Sequence, residues 1–115
     1  MVKRKDLEHI LHEKISRDFD YFEMELLGLP AEEIIKRSFE IADKSYILAF
    51  FEDTSELSAE QIIELLKLED TLDACYEAWK ATKSICPHKI KSVITAFVDY
   101  LVYKSAEADT GGHNV

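Results

Sequence analysis

Leu7-Glu-His-Ile-Leu-His-Glu-Lys-Ile-Ser-Arg-Asp-Phe-Asp-Tyr-Phe-Glu-Met-Glu-Leu-Leu27 carries Leu7, Ile10, Leu11, Ile15, Phe19, Phe22, Leu26 and Leu27 at steps of three and four. Those steps are the period of one helical face, so a helix is predicted over about 5–27. Gly28 stands where a left-handed residue closes a helix, and Pro30 prevents simple continuation. A second helix is expected after Pro30, with Glu32 and Glu33 at the positive end of its dipole. Its inner stripe would be Ile34, Ile35, Phe39, Ala42, Tyr46 and Ala49 or Phe50, and it should stop near Asp53.

Ser58-Ala-Glu-Gln61 reads as a capping box: the serine hydroxyl accepts from the Gln61 backbone N–H while the glutamine side chain reaches back. It opens a third helix whose apolar side is Ile62, Ile63, Leu65 and Leu66. A fourth, from Asp70 or Thr71 to Thr82, would bury Leu72, Cys75, Tyr76 and Trp79. Pro87 suits the first position of a fifth, with Ile90, Val93, Ile94, Phe97 and Leu101 as its stripe. Three glycines and two prolines are too few for the turns of an all-β fold. The expectation is an all-α protein: a compact bundle of about five helices, three longer and two short, with no sheet. Helices one, two and five would form the main antiparallel stack, with three and four across it. Residues 1–108 read as one domain and residues 109–115 as a flexible tail, where the composition turns to Thr, Gly, His and Asn.

With 47% hydrophobic and 32% charged residues, the 115-residue chain has globular composition despite its formal charge of −9. The longest apolar run, Ile47 to Phe51, falls far short of the roughly 18 residues of a membrane span. Met-Val-Lys-Arg-Lys-Asp at the N-terminus has no apolar signal core behind it, so a cytoplasmic location is expected. Cys75 and Cys86 would then stay reduced, at a spacing that matches no metal or redox motif.

Charge is segregated. Glu52 to Glu77 holds nine carboxylates against Lys67 alone, a net −8. Positions 80 to 104 hold five lysines against Asp99, a net +4. The acidic balance repels phosphate backbones, so no direct nucleic-acid binding is expected. Glu56, Glu60 and Glu64 recur at every fourth position, a like-charge row that costs its helix tenths of a kcal/mol per pair, on the order of 0.2–0.5. Such rows are tolerated where they meet something positive. Glu52, Asp53, Glu56, Glu60, Glu64, Glu69, Asp70 and Asp73 are therefore the candidate partner-binding residues.

Groups suited to catalysis are sparse. Glycine-rich phosphate loops are absent. His9 and His12 stand one turn apart beside Glu13, without the third ligand of a zinc motif, and read as solvated histidines; no metal or cofactor is expected. Cys86-Pro-His88 could place a thiol near a helix start, yet residues two apart point to different sides, and a half-buried structural thiol is the better reading. Cys75 reads as core, and Tyr21, Tyr100 and Tyr103 as rim contacts.

Leu65-Leu-Lys-Leu-Glu-Asp-Thr-Leu-Asp-Ala-Cys-Tyr-Glu-Ala-Trp79 resembles the most recognisable segment of a domain-of-unknown-function family. Its members are short acidic helical proteins from anaerobic gut bacteria and their mobile elements, with a double leucine, a Leu-Asp pair and Tyr-x-x-Trp in this order. Leu29-Pro-Ala-Glu-Glu-Ile-Ile35, Phe39-Glu-Ile41 and Ile47-Leu48 resemble its N-terminal half, so the likeness spans about residues 7 to 82. It implies a small helical domain with no assigned activity, transfers no catalytic residue, and suggests defence evasion or mobile-element control. Short acidic proteins of that origin include inhibitors of CRISPR nucleases and restriction enzymes. The expected function is a non-enzymatic module docking on a basic protein partner, such as a nucleic-acid-processing enzyme. The alternatives are a homodimer or adaptor pairing through Phe97, Tyr100 and Leu101, or a small thiol or metal enzyme.

Overall fold

The computed structural model describes residues 3–54, 56–83 and 86–113. Helices α1 (Arg4–Leu27), α2 (Ala31–Lys36), α3 (Ser38–Phe50), α4 (Ala59–Leu66), α5 (Thr71–Ala81) and α6 (Ile90–His113) follow one another, with a 3-10 turn at Pro87–Lys89 ahead of α6. Among the described residues there is no strand. The all-α bundle follows from the apolar stripes: Leu11, Ile15, Phe22 and Leu26 of α1, Ile62 and Leu65 of α4, Leu72, Cys75 and Trp79 of α5, and Ile90, Ile94 and Val98 of α6 are all buried.

The packing order differs from the expected stack. The short helices α4 and α5 lie at the centre, each touching both α1 and α6, while α1 and α6 have little direct contact. Helices α4 and α5 each bury one apolar face, Ile62 with Leu65 and Leu72 with Cys75 and Trp79, and α1 and α6 both pack on these short helices, which keeps the two long helices apart. Helix α3 closes the assembly by packing on α5 and α1.

The predicted second helix is two helices, broken at Arg37 (φ −96°, ψ 13°). Of its predicted inner stripe only Phe50 packs on the core. Ile35 is 70% exposed, Phe39 83% and Tyr46 52%, whereas Lys44 is buried alongside Ile47 and Phe51. A helix moves as one body. Once Ile47, Leu48 and Phe51 enter the core, the positions three, four and seven residues earlier on that face (Glu40 and Lys44) must follow. In α1 the predicted stripe holds at its centre, but Ile10 and Leu27 lie exposed.

Three local details also differ. Gly28 ends α1 in right-handed geometry (φ −84°, ψ −3°), its N–H donating to Glu25 O at 3.2 Å, so no left-handed residue is required. Pro87 opens the 3-10 turn, and α6 itself starts at Ile90. Residues 109–113, assigned by composition to a tail, continue α6. Two glycines each cost a helix about 1 kcal/mol but do not forbid propagation from an established helix. Residues 114 and 115 of that predicted tail lie outside the described residues.

Candidate interaction surface

The α3–α4 connection is built around Arg4, a residue that no sequence signal singles out. Its Nε donates to Leu57 O at 2.8 Å and its Nη2 to Thr54 O at 2.7 Å, while Nη1 pairs with Glu8. These bonds satisfy carbonyls that no helix pairs, and they fix the connection against the start of α1. Leu57 and Phe51 anchor it in the core from below. Glu52, Asp53 and Glu56 are thereby left facing outward, all three exposed.

Asp53 lies between two depressions. One is lined by Lys5, Glu8, His9, His12 and Glu52. The other, a cleft of about 310 Å³, is lined by Phe50, Glu56, Gln61, Lys91 and Thr95 among others. Lys91 of α6 reaches across to Glu56 at 3.0 Å, but both side chains are well exposed (62% and 75%), so the pair is worth little and can be exchanged.

The remaining candidate carboxylates sit in other settings. Helix α4 begins at Ala59, with Ser58 as its cap, so Glu56 precedes the helix and the expected row of Glu56, Glu60 and Glu64 is not one helical face. Glu60 is exposed. Glu64, with 13% of its side chain exposed, is paired with Lys67 at 2.6 Å. Glu69 is exposed beside α1, where its carbonyl accepts from Lys14 Nζ at 2.8 Å. Asp70 is the N-cap of α5, accepting from Asp73 N–H at 2.9 Å. Asp73 in turn pairs with Lys44 at 3.2 Å. The eight residues thus form three groups: 52, 53 and 56 on the connection, 60 and 64 on α4, and 69, 70 and 73 around the start of α5.

The predicted capping box is present in full: Gln61 N–H donates to Ser58 Oγ at 3.2 Å and Ser58 N–H to Gln61 Oε1 at 2.8 Å. Gln61 also donates through Nε2 to Asp99 at 2.8 Å, tying the cap to α6.

A second polar constellation went unanticipated. The Lys44 ammonium lies 2.9 Å from Glu40, 3.2 Å from Asp73 and 4.0 Å from the centroid of the Phe22 ring. Arg37 completes it, donating to Glu40 from Nε (2.8 Å) and Nη2 (3.1 Å) and to Glu25 from Nη1 (2.9 Å). The Arg37 hydrogen bonds, helped by Lys44, hold the Glu40 carboxyl below its ordinary value. Burial, reinforced by surrounding carboxylates, raises the Tyr76 hydroxyl. The Glu40-x-x-x-Lys44 spacing was readable as a same-face pair; its burial was not.

His9 pairs with Glu13 at 3.1 Å on an exposed face, and His12 lines the depression beside Glu52. Among the described residues no three His, Cys, Asp or Glu side chains are grouped to hold a metal ion. Burial pushes the Cys75 thiol up to about 12, which removes it as a nucleophile at neutral pH. Cys86 is half-buried ahead of the 3-10 turn. Phe97 and Leu101 pack against the core, which leaves Tyr100 and Tyr103 as the large apolar side chains that α6 exposes. No helix among the described residues is long and apolar enough to cross a membrane.

Fold and surface together define a small all-α protein with an acidic α3–α4 connection bonded to Arg4 of α1. Compared with known proteins, the chain matches no family model, no curated protein and no solved structure.

Proposed function

We propose that this protein is a non-enzymatic interaction module that captures a basic partner through the α3–α4 connection. The observation that carries this reading is the exposure of Glu52, Asp53 and Glu56 together on a short segment pinned by Arg4. A backbone fixed by Arg4 lowers the ordering cost of the segment, and the surplus charge of the chain steers a positive surface toward its carboxylates. The partner class is a protein whose own cations are meant for phosphate. Inhibition of a nucleic-acid-processing effector is the concrete form, in keeping with the resemblance of residues 7 to 82 to acidic proteins of mobile elements.

Glu64, Asp70 and Asp73 contribute less in this reading: Glu64 is largely buried beside Lys67, Asp73 is tied to the buried Lys44, and Asp70 caps α5. The test is simultaneous charge reversal, Glu52→Lys, Asp53→Lys and Glu56→Lys, followed by capture from the native host at low and at physiological salt, with the bound protein identified. The wild type should retain a basic nucleic-acid-processing protein that salt releases. The triple variant should lose it by at least about tenfold with unchanged helicity. Equal capture by both proteins overturns the proposal.

A further inference from the structure

Apolar, acidic, basic and hydroxyl side chains meet in the cleft of about 310 Å³ between the α3–α4 connection and α6. Phe50 and Leu57 give it an apolar wall, Asp53 and Glu56 supply carboxylates, Lys91 brings one cation, and Thr54 stands among them. Its volume lies at the lower end of ligand sites, which suits a single side chain better than a folded segment.

Other polar groups of the wall are already engaged. Gln61 accepts from Ser58 N–H and donates to Asp99, and Thr95 Oγ1 donates to Lys91 O at 2.8 Å. Thr54 differs. It is 3% exposed, and its buried Oγ1 has no hydrogen-bond partner among the described residues. An orphaned buried hydroxyl is costly, and it calls for a group that the chain itself does not supply. Lys91 points to the kind of group. Its ammonium crosses from α6 to Glu56 at 3.0 Å with both side chains well exposed, so a cation on an apolar stem already rests on this wall and is held weakly.

We infer that the cleft receives one arginine side chain of the partner protein, whose guanidinium takes the place of Lys91 on Glu56. This rests on the proposed function, because it names the group of the basic partner that the connection recognises. Arginine suits the cleft better than lysine for two reasons. A guanidinium carries five N–H donors, enough for both the Glu56 carboxylate and the Thr54 hydroxyl, whereas an ammonium repeats what Lys91 already does. Half-buried Phe50 offers an aromatic ring on which the guanidinium plane can stack. Lys91 is then an internal competitor: it satisfies Glu56 in the free protein and sets the affinity that an incoming cation must exceed.

The probe is the blocked tripeptide acetyl-Gly-Arg-Gly-amide, titrated into the isotope-labelled full chain at constant ionic strength and followed by NMR, with acetyl-Gly-Lys-Gly-amide beside it. Saturable shifts should centre on Phe50, Thr54, Glu56 and Thr95, with the arginine peptide at least about threefold tighter than the lysine peptide. Lys91→Met should tighten arginine binding about threefold or more by removing the competitor. Lys5→Met, which takes one charge from the other depression, should change it by less than about twofold. Thr54→Val should weaken it about two- to fivefold without lowering the thermal midpoint, since it deletes a hydroxyl that the free protein leaves unsatisfied. Shifts scattered over the acidic surface, equal binding of the two peptides, or wild-type affinity in Lys91→Met or Thr54→Val would each overturn the inference. Host capture by the wild type without an arginine response in the cleft also overturns it and leaves the proposed function standing. An arginine response in a protein that captures nothing removes the proposed function and leaves the cleft as an arginine site.

Discussion

Lys44 has 5% of its side chain exposed, and its surroundings account for its burial: two carboxylates compensate the charge and the Phe22 ring covers the ammonium. The pairings are not symmetrical in consequence. Glu40→Gln leaves Lys44 buried with Asp73 alone and removes the two-pronged partner of Arg37, so it should cost about 1–3 kcal/mol in urea denaturation at neutral pH. Lys44→Met should stay within about 1 kcal/mol of wild type, because the thioether packs on Phe22 and Glu40 keeps Arg37. The pH dependence has a definite sign. The folded-state value of Glu40 is lowered from 4.5, so its contribution is complete above that value and is lost as pH falls through the folded value. The deficit of Glu40→Gln relative to wild type should therefore shrink in acid, measured as the difference in urea midpoint across pH 3 to 7. Nothing in Ala42-Asp-Lys-Ser-Tyr46 distinguishes this lysine from a solvated one, since Phe22 and Asp73 are remote in sequence.

Helix α5 shows how much of an element's definition is local. Asp70 caps it from the adjacent position, as the sequence permits, but Asp18 of α1 also accepts from Thr71 N–H at 3.0 Å and Leu72 N–H at 3.4 Å. Two carboxylates thus meet the positive end of the helix, one of them 53 residues away. At the other end Lys83 has φ 57°, the left-handed region, and its N–H donates to Lys80 O at 3.1 Å. A side chain there is strained, so Lys83→Gly should raise stability by about 0.5–1 kcal/mol in spite of the added freedom of the unfolded chain. A loss on thermal denaturation would contradict that account. The capping box of α4 was legible because its partners lie three residues apart; the latch of Arg4 on Leu57 was not, because no spacing connects them.

The assembled molecule extends 52 Å along its longest axis and carries a net charge of −9. Its ion pairs are mostly of short sequence range, while Glu60, Glu69 and many other carboxylates face solvent, so the surplus negative charge repels itself over the whole surface. Raising ionic strength from about 10 mM to 150 mM shortens the screening length from about 30 Å to 8 Å. The thermal midpoint should rise by about 2–5 °C over that range. A fall would mean that the Lys44 and Arg37 pairs dominate the balance. Capture of a cationic partner should move in the opposite direction, weakening with salt.

From the order of residues alone came the helical class, the positions of most helix ends, the α4 cap and the apolar stripes of α1, α4, α5 and α6. These depend on contacts within a turn or two, where spacing is geometry. Which face of α3 turns inward was decided only in three dimensions. Its two faces both carry apolar side chains, and the choice went to Ile47, Leu48 and Phe51, which drew Lys44 inside and left Ile35, Phe39 and Tyr46 outside. The division of the carboxylates was decided there too, because whether a Glu is exposed, capping or paired depends on cations and N–H groups that the chain brings from far away.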